Sequence, residues 1–271
     1  MNNDLWTTTL FGLLPFPWTL HSYGLLIAMG FLLGVQLSRD QARREGLDAE
    51  EIVDVTFYVL LFGLLGGRLA YMAVSWRAFV DDPVEILRVW RGGLVWYGGF
   101  FGAVAYLWRY ARSRRVAFFQ LVDLLIVPTS LAHAFGRVGC LVAGCCHGRP
   151  TSLPFGIVFP PHSFAQSEQA AHGLVSPLAS SLPVHPSQLY EATAEYALFL
   201  LLVWARPHKR VHGQLFLLWL GLYPCARVVV EMTRGDALRG VWLLSTSQYL
   251  SVLVGLCALA LFAHFRRQKQ S

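Results

Sequence analysis

The sequence predicts an all-α membrane protein, a bundle of about seven transmembrane helices with its N-terminus outside and its C-terminus in the cytoplasm. Of the 271 residues, 55% are hydrophobic and only 14% are charged, whereas soluble domains have roughly 25% charged residues. Seven mostly apolar stretches each approach the roughly 20 residues that a helix needs to cross a bilayer. Lys and Arg are concentrated in alternate connections between these stretches, which sets the orientation.

The predicted spans follow one another along the chain with short connections on one side and longer connections on the other. They cover 21–38, 52–75, 93–108, 118–138, 188–205, 213–231 and 246–265. Short connections rich in Lys and Arg lie in the cytoplasm. Thirteen of the 22 basic residues are in such connections: Arg39, Arg43, Arg44, Arg109, Arg112, Arg114, Arg115, Arg206, Lys209, Arg210, Arg266, Arg267 and Lys269.

The net charge of +6 is explained by this topology. In a soluble protein, a basic chain of this kind would suggest a nucleic-acid partner. Here the basic residues lie between apolar spans instead of on one face, so we expect no nucleic-acid partner and a membrane-embedded protein.

We expect residues 1–271 to form a single membrane domain with three outer segments. Residues 1–20 carry no cleavable signal pattern and predict an interfacial segment, because their aromatic residues favour lipid headgroups. Residues 76–92 predict an outer amphipathic connection, and 139–187 an outer loop or head region over the bundle. Its tip, SFAQSEQAAHGLVSPLASS, indicates no defined structure and no chemistry.

Three arginines lie within or at the end of apolar spans: Arg68, Arg137 and Arg227. A charged side chain at mid-membrane costs at least about 2.5–3.5 kcal/mol, so each should face a polar cavity and meet an anion. Protein carboxylates are one choice, with Glu231 one helical turn after Arg227, and Glu191, Glu195 and Asp123 as further candidates. If the arginines converge, their guanidinium groups match a lipid phosphate.

Six sequence pieces occur in one order along the chain: HSYGLL, GGRLAY, PVEILRVWRGGLVWYGGFFG, GRVGCLVAGCCHGRPTSLPFGIVFP, HPSQLYEA and YPCARVVVEMTRG. With these pieces the chain resembles the prolipoprotein diacylglyceryl transferase family from about residue 20 to residue 267. The resemblance implies a seven-helix fold in the bacterial cytoplasmic (inner) membrane. It also implies transfer of a diacylglyceryl group from the anionic lipid phosphatidylglycerol to the lipobox cysteine thiol of a prolipoprotein, without a cofactor.

The resemblance also implies roles for particular residues. Arg137, Arg227 and Glu231 match family positions, and we expect the two arginines to bind the phosphate while Glu231 orients Arg227. Arginines placed in this way would stabilise charge on the leaving oxygen. The residues predicted to bind substrate are Tyr23, Arg68, Gly98, Gly99, Gly148 and His185.

Two segments depart from the family pattern. Where the family has a histidine in GG-x-x-x-H-GG, this chain has Tyr97, and where the family has G-N-F-I-N-x-E it has GCLVAGC. A tyrosine near pKa 10 is a weaker base at neutral pH than a histidine near 6.5, so either Tyr97 or His133 would handle the proton of the acceptor thiol. Two alternatives follow: a non-catalytic lipid- or lipoprotein-binding paralogue, and a transferase with a changed donor or acceptor.

The segment CLVAGCCHG places Cys140, Cys145, Cys146 and His147 within eight positions. Such a group can form a disulfide, bind a soft metal or supply a thiolate activated by a neighbouring arginine. The same cysteines can equally fill space in a tight glycine-rich turn. Their spacing is not a standard zinc spacing, so we predict three possible reactive thiols and no metal.

Overall fold

The computed structural model describes the backbone of residues 4–8, 18–76, 79, 84, 93–235, 240–241 and 244–245, with most side chains from residue 23 onward. These residues are mainly helical. The helices are α1 (Ser22–Arg44), α2 (Ala49–Val74), α3 (Trp96–Arg114), α4 (Phe118–Ala143), α5 (Phe164–Ala171), α6 (Ser187–Ala205) and α7 (Gln214–Glu231). Short antiparallel pairs are formed by β1 (Asp4–Thr8) with β2 (Trp18–His21) and by β3 (Gly240–Val241) with β4 (Leu244–Ser245).

Six of the seven predicted spans fall on these helices, and the seventh, 246–265, lies outside the described residues. Three described helices are long and apolar enough to cross a membrane on length and composition: Ala49–Val74, Phe118–Ala143 and Gln214–Glu231. Many large apolar side chains of the described helices point outward, whereas several acidic ones are buried. That distribution is consistent with a membrane protein, in which charges face the interior.

Helix boundaries correct two of the sequence predictions. The basic connection after the third span is mostly helical, since α3 continues to Arg114 and ends at Arg115 in the left-handed region (φ 56°). Helix α4 continues to Ala143, so the segment predicted as a loop from 139 begins as helix and carries Cys140. Most of the predicted connection 76–92 and most of 1–20 lie outside the described residues.

The tip of the 139–187 segment is folded, which corrects the expectation that it has no defined structure. Ser163 caps α5 by accepting a hydrogen bond from the Gln166 backbone N–H at 3.3 Å. The buried Gln166 amide donates to the carbonyls of Ser176 and Pro177, at 3.2 and 3.1 Å. Gln169 accepts from the Leu182 N–H at 2.7 Å. Buried side-chain amides therefore replace regular secondary structure in satisfying this backbone.

Backbone contacts divide the chain into two compact units, residues 1–34 with 126–271 (unit 1) and residues 35–125 (unit 2). In unit 2, α2 and α3 pack closely because small residues meet at their contact. A Cβ placed on Gly98 would lie 2.3 Å from the Gly66 carbonyl oxygen, and one on Gly102 would lie 2.3 Å from that of Phe62. Glycines at these positions let the two backbones approach.

Each unit has its own apolar core. The core of unit 2 joins α1, α2, α3 and α4 through Ala42, Ile52, Val55, Leu107, Ala111, Leu121 and Leu124. In unit 1, Ile126 and Val127 pack against Leu202 and Leu215, which brings α4, α6 and α7 together. This second cluster supports the helix faces that carry the polar residues described next.

Candidate functional site

Three helices of unit 1 carry polar side chains at helical spacing on the faces that they turn toward one another. Positions three or four apart share one face of an α-helix. The residues are Ser130, His133 and Arg137 on α4, Glu191 and Glu195 on α6, and Trp219, Tyr223, Arg227 and Glu231 on α7. Hydrogen bonds and ion pairs join them into one group, which we call the ion-pair network.

Glu191 is the centre of the ion-pair network. Its Oε1 lies 3.2 Å from a terminal nitrogen of Arg137, and its Oε2 accepts a hydrogen bond of 3.0 Å from Arg227. The carboxylate therefore joins two guanidinium groups from two other helices. Only 2% of the residue is exposed, and burial strengthens such pairs while making each charge costly without its partner.

Arg227 is held by carboxylates on both sides. Besides Glu191, it pairs with Glu231 at 2.6 Å, one helical turn further along α7. This is the ion pair that the sequence predicted from the spacing of four. Tyr223, one turn earlier, points its hydroxyl at Glu191 Oε1 at 3.4 Å and stacks on Trp219 with 4.7 Å between ring centres. Arg227 is thus fixed in place along one stripe of α7.

Hydrogen bonding fixes the tautomer of His133. Arg137 Nε, which always carries a hydrogen, donates to His133 Nε2 at 3.2 Å, so Nε2 accepts. Nδ1 then carries the ring hydrogen and donates to Glu195 Oε1 at 2.7 Å. Glu195 also accepts from Ser130 Oγ at 2.6 Å. In this arrangement His133 orients Arg137, and its action as a base requires Arg137 to move.

The balance of charge determines how the ion-pair network can bind an anion. Two guanidinium groups face three carboxylates, so the ion-pair network already holds counter-charges for both arginines. Arg137 is the more accessible arginine, with 20% of its side chain exposed against 10% for Arg227. Arg137 is therefore the guanidinium that an anion reaches with least rearrangement.

A second group, the thiol cluster, follows Arg137 along the chain. The sulfur atoms of Cys140, Cys145 and Cys146 all lie within 4.8 Å of one another. Gly144 (φ 71°) and Cys146 (φ 57°) adopt left-handed conformations, and the Cys145 N–H bonds to the Cys140 carbonyl at 3.1 Å. The chain thus reverses directly after α4 and returns two thiols to the third. Positive φ is uncommon for a residue with a side chain.

Electrostatics distinguish the two thiols in the loop. Hydrogen bonds from Cys140 and Cys145, together with the positive charges of Arg234 and Arg137, lower the pKa of the Cys146 thiol. Hydrogen bonding with Cys140 and Cys146 raises the pKa of the Cys145 thiol. Of the two loop thiols, Cys146 is therefore the one whose thiolate form the surroundings favour.

Two predicted site residues, Gly148 and His185, are joined by backbone hydrogen bonds in the loop that follows the thiol cluster. Gly148 donates to the His185 carbonyl at 2.9 Å, and His185 donates to that of Arg149 at 3.0 Å. A Cβ on Gly148 would lie 2.5 Å from both His185 Cβ and Ser187 Oγ, so only glycine fits there. These contacts hold the loop against the start of α6, where Gln188 donates to the Cys145 carbonyl at 2.7 Å.

Tyr23 belongs to the same unit, whereas four other predicted residues lie in unit 2. The ring of Tyr23 lies 3.0 Å from where a Cβ of Gly139 would be, so α1 contacts α4 within one turn of Arg137. In unit 2, Arg68 is buried, donates to the Gly93 carbonyl at 3.1 Å and lies 5.5 Å from the ring centres of Tyr71 and Phe79.

The remaining unit 2 predictions concern the start of α3. Tyr97 is 40% exposed. Gly98 packs against the backbone of α2, which is the helix-packing role that small residues have in membranes. Gly99 lines a cavity of about 330 Å³ with Gly63, Leu64, Gly67, Leu94, Val95 and Phe100.

Sequence reasoning named Glu191 and Glu195 only as candidate partners and overlooked Ser130, Trp219 and Tyr223. A signal for the first two was present, since both are acidic residues four apart in an apolar helix. Tyr223 lies four residues before Arg227, and Trp219 four before that, which continues the same stripe of α7. Ser130 has no comparable signal, because small hydroxyl residues are common in helices of this kind.

A model of the family described as prolipoprotein diacylglyceryl transferase matches residues 9–264. A phosphatidylglycerol–prolipoprotein diacylglyceryl transferase of Clostridium tetani is 32% identical over 251 residues, covering 93% of this chain and 95% of the relative. One from Bordetella parapertussis is 34% identical over 254 residues, covering 91% of each chain.

Proposed function

Because the chain belongs to the prolipoprotein diacylglyceryl transferase family, we propose that it transfers the diacylglyceryl group of phosphatidylglycerol to the lipobox cysteine thiol of a prolipoprotein. The observation that carries the proposal is the pair of arginines, Arg137 and Arg227, held on one buried carboxylate, Glu191. Charged groups inside apolar helices are costly and mark functional sites. Paired guanidinium groups suit a substrate whose leaving group is a phosphate.

In the proposed reaction, Arg137 binds the lipid phosphate and stabilises the charge that develops as glycerol phosphate leaves. Its exposure and its position at the edge of the ion-pair network support this role. Arg227, held between Glu191 and Glu231, keeps Glu191 aligned and adds positive charge next to the phosphate. Preorganised donors of this kind are effective because they need no rearrangement as the reaction proceeds.

The remaining residues contribute to binding and proton transfer in the proposal. Tyr23 donates a hydrogen bond to the substrate beside Arg137. Gly148 and His185 shape the entrance to the site. Tyr97 or His133 receives the proton of the acceptor thiol. Arg68, Gly98 and Gly99 of unit 2 are further proposed substrate-binding residues, and the cavity that Gly99 lines supports this role for Gly99.

We place the protein in the bacterial cytoplasmic membrane as a multi-pass, single-domain protein with seven spans, its N-terminus outside and its C-terminus in the cytoplasm. Supporting this orientation, α1 ends with Arg43 and Arg44, and α3 ends with Arg112 and Arg114. Residues 1–20, 76–92 and 139–187 would then face outward, where the lipobox cysteine is presented. The proposed partners are phosphatidylglycerol and a prolipoprotein.

Complementation tests the proposed function. The chain is expressed in a bacterium depleted of its own transferase, and the mass of a model lipoprotein is measured. We expect the mass increase of one diacylglyceryl group. Arg137→Gln should lower the transfer rate by about 10²–10³-fold, the range for loss of one donor to a developing oxyanion. The matched control is Arg44→Gln, an exposed arginine at the end of α1, which should leave the rate unchanged.

Two outcomes would contradict the proposal. If the correctly inserted wild-type chain gives no mass shift, it does not catalyse this transfer. If Arg137→Gln inserts normally and retains full activity, the ion-pair network is not the site of the reaction.

A further inference from the structure

The thiol cluster is a group of three like ligands that the phosphate chemistry above does not use. Cys140 is three residues after Arg137 on α4, and Cys145 and Cys146 are returned to it by the left-handed turn. Although their spacing along the chain predicted no metal, the three sulfurs converge, and we propose that Cys140, Cys145 and Cys146 bind a zinc ion whose fourth coordination position takes the thiol of the acceptor cysteine. This inference rests on the proposed transferase function, because it assigns the activation of the acceptor.

The geometry of the sulfur atoms suits a zinc ion. Zn–S bonds are about 2.3 Å, which places the sulfurs of a tetrahedral site roughly 3.8 Å apart. The three sulfurs already lie within 4.8 Å of one another, so shifts of about 1 Å or less bring them to this spacing. Three protein ligands and one open position are the usual arrangement of catalytic zinc.

The turn itself supports a ligand role. Cys146 adopts a positive φ, a conformation that costs energy for a residue with a Cβ and occurs where the surroundings require it. If the Cys146 side chain only filled space in the turn, glycine would adopt this backbone conformation at lower cost. A disulfide would use two of the sulfurs and leave the third, whereas all three converge. The geometry therefore favours a ligand that needs three thiolates.

Charge in the surroundings supports the same assignment. Three thiolates and one Zn²⁺ carry a net charge of −1, which nearby guanidinium groups stabilise. Arg137 and Arg234 both act on the Cys146 sulfur, and their positive charges favour its thiolate form. Arg137 is thereby shared between the thiol cluster and the ion-pair network, so a metal-bound acceptor and a bound lipid phosphate would meet at one residue.

The adjacent histidine is engaged elsewhere. His147 is buried, with Nδ1 3.0 Å from the Gly148 carbonyl oxygen and Nε2 3.1 Å from Glu168 Oε2. Both ring nitrogens therefore have partners in the described loop. Within the described residues, the metal-ligand group found here consists of the three cysteines. Among the described residues this group offers three ligands, and the proposal gives its fourth position to the acceptor thiol.

A zinc-bound acceptor thiol solves the problem of proton removal. A thiol that coordinates Zn²⁺ loses its proton, while the Nε2 lone pair of His133 is occupied by Arg137. The zinc-bound thiolate attacks the glycerol carbon that carries the phosphate, forming a C–S bond as the C–O bond breaks. Glycerol phosphate leaves with the bonding electrons of the C–O bond, and the proton that the thiol releases on binding zinc passes to it through Tyr97 or His133. The product thioether is a weaker ligand and departs from the zinc.

Metal analysis of the purified full-length protein tests the binding site. After expression with zinc and removal of loose metal, we expect close to one zinc per chain. Cys140→Ser, Cys145→Ser and Cys146→Ser should each lower zinc affinity by at least about 10-fold, the lower end of what disturbing a zinc site costs. Cys225→Ser is the matched control, because Cys225 is exposed on α7 and bonds to the Gly221 carbonyl at 3.4 Å. It should retain wild-type zinc.

Cobalt substitution tests the open position without relying on variants that must fold. Co²⁺ bound by three thiolates gives an intense sulfur-to-cobalt absorption band. Adding a prolipoprotein signal peptide with its lipobox cysteine should increase this band by about one third, as three thiolates become four. The same peptide with that cysteine replaced by serine should leave the band unchanged.

The results separate this inference from the proposed function. A disulfide among the three cysteines, binding of copper but not zinc, or zinc retained by all three serine variants would overturn the zinc site. An unchanged cobalt band with the cysteine peptide would overturn activation of the acceptor. If metal-free protein or the triple serine variant transfers diacylglyceryl groups at the wild-type rate, the inference fails while the transferase function stands. Zinc binding without any transfer by wild type would contradict the function instead.

Discussion

The helices of the α2–α3 pair in unit 2 and those of the α4–α6–α7 group in unit 1 are held together by different contacts. In the first, glycines let two backbones touch, with Gly98 and Gly102 against α2. In the second, buried charges link three helices, and Glu191 joins the guanidinium groups of Arg137 and Arg227. Both groups expose large apolar side chains on their outer faces.

The difference shows how helices associate where the surroundings are as apolar as the side chains. Lipid supplies no hydrophobic driving force between helices, so close packing and interior polar contacts must hold them. A glycine contact tolerates no added atom, whereas an ion pair tolerates no lost partner. A polar interior also gives access to chemistry, which the glycine contact alone does not provide.

The largest effect is expected for Glu191→Ala. Removing the carboxylate leaves Arg137 and Arg227 without the charge they share, and breaking a buried pair in this way costs about 3–5 kcal/mol. The measurement is the free energy of unfolding in detergent, together with the transfer rate. Glu51→Ala is the matched control, because Glu51 pairs with Arg114 at 2.8 Å but has 37% of its side chain exposed.

The control should lose about 1–2 kcal/mol, because Glu51→Ala removes an exposed ion pair with Arg114 and the hydrogen bond from Tyr110. Equal losses for Glu191→Ala and Glu51→Ala would mean that burial does not distinguish the two carboxylates. The buried ion pairs of unit 1 would then stabilise the protein no more than the exposed pair of unit 2.

The glycine contact gives the next effect, through Gly98→Ala. The new Cβ would lie 2.3 Å from the Gly66 carbonyl oxygen and 2.4 Å from Ala70 Cβ, so α2 and α3 must separate. Overpacking of this kind costs about 1–3 kcal/mol. Thermal unfolding of the purified protein measures the loss. Gly221→Ala is the control, because nothing lies within 4 Å of its new Cβ, and it should be neutral or stabilising.

The ion-pair partners of Arg227 could be predicted from the sequence, since Glu231 and Glu191 were both candidates and both pair with it. Arg137, Arg227 and Glu231 stand out in apolar stretches because the cost of burying them requires partners. The sequence did not distinguish the roles of the glycines. Gly98 lets α3 pack closely against α2, whereas Gly148 lets the loop pass close to His185 and Ser187. Nor did the sequence indicate that Gln166 and Gln169 fold the loop tip, because their bonds to distant carbonyls and N–H groups have no periodic pattern.

Ser130→Ala removes one polar contact from the ion-pair network and keeps every charge. Ser130 is fully buried and donates to Glu195 Oε2 at 2.6 Å. A hydrogen bond to a charged group contributes about 1.5 kcal/mol at the lower end of the usual range. Ser113→Ala is the control, because Ser113 donates to the Tyr110 carbonyl at an exposed position. Identical unfolding free energies for both variants would show that Ser130 does not stabilise Glu195.

The smallest effect is expected for Tyr110→Phe, at the basic end of the α2–α3 pair beyond the predicted span. Tyr110 donates to Glu51 at 2.9 Å, and losing this bond should cost about 1 kcal/mol at pH 7. Burial and the bond to Glu51 raise the pKa of Tyr110 from 10 to about 12. The folded protein therefore holds the phenol proton more tightly than the unfolded chain, so the stabilisation is complete below pH 10 and lost as pH rises through 12.

The free energies of unfolding of wild type and Tyr110→Phe should accordingly differ by the same amount at pH 7 and pH 9 and converge above pH 11. A difference that disappears by pH 9 would mean that Glu51 and burial do not hold the proton. A difference that persists above pH 12 would mean that the Tyr110 hydroxyl stabilises the protein through contacts that do not depend on its proton. Either result would mean that the hydrogen bond between Tyr110 of α3 and Glu51 of α2 does not contribute to the stability of unit 2.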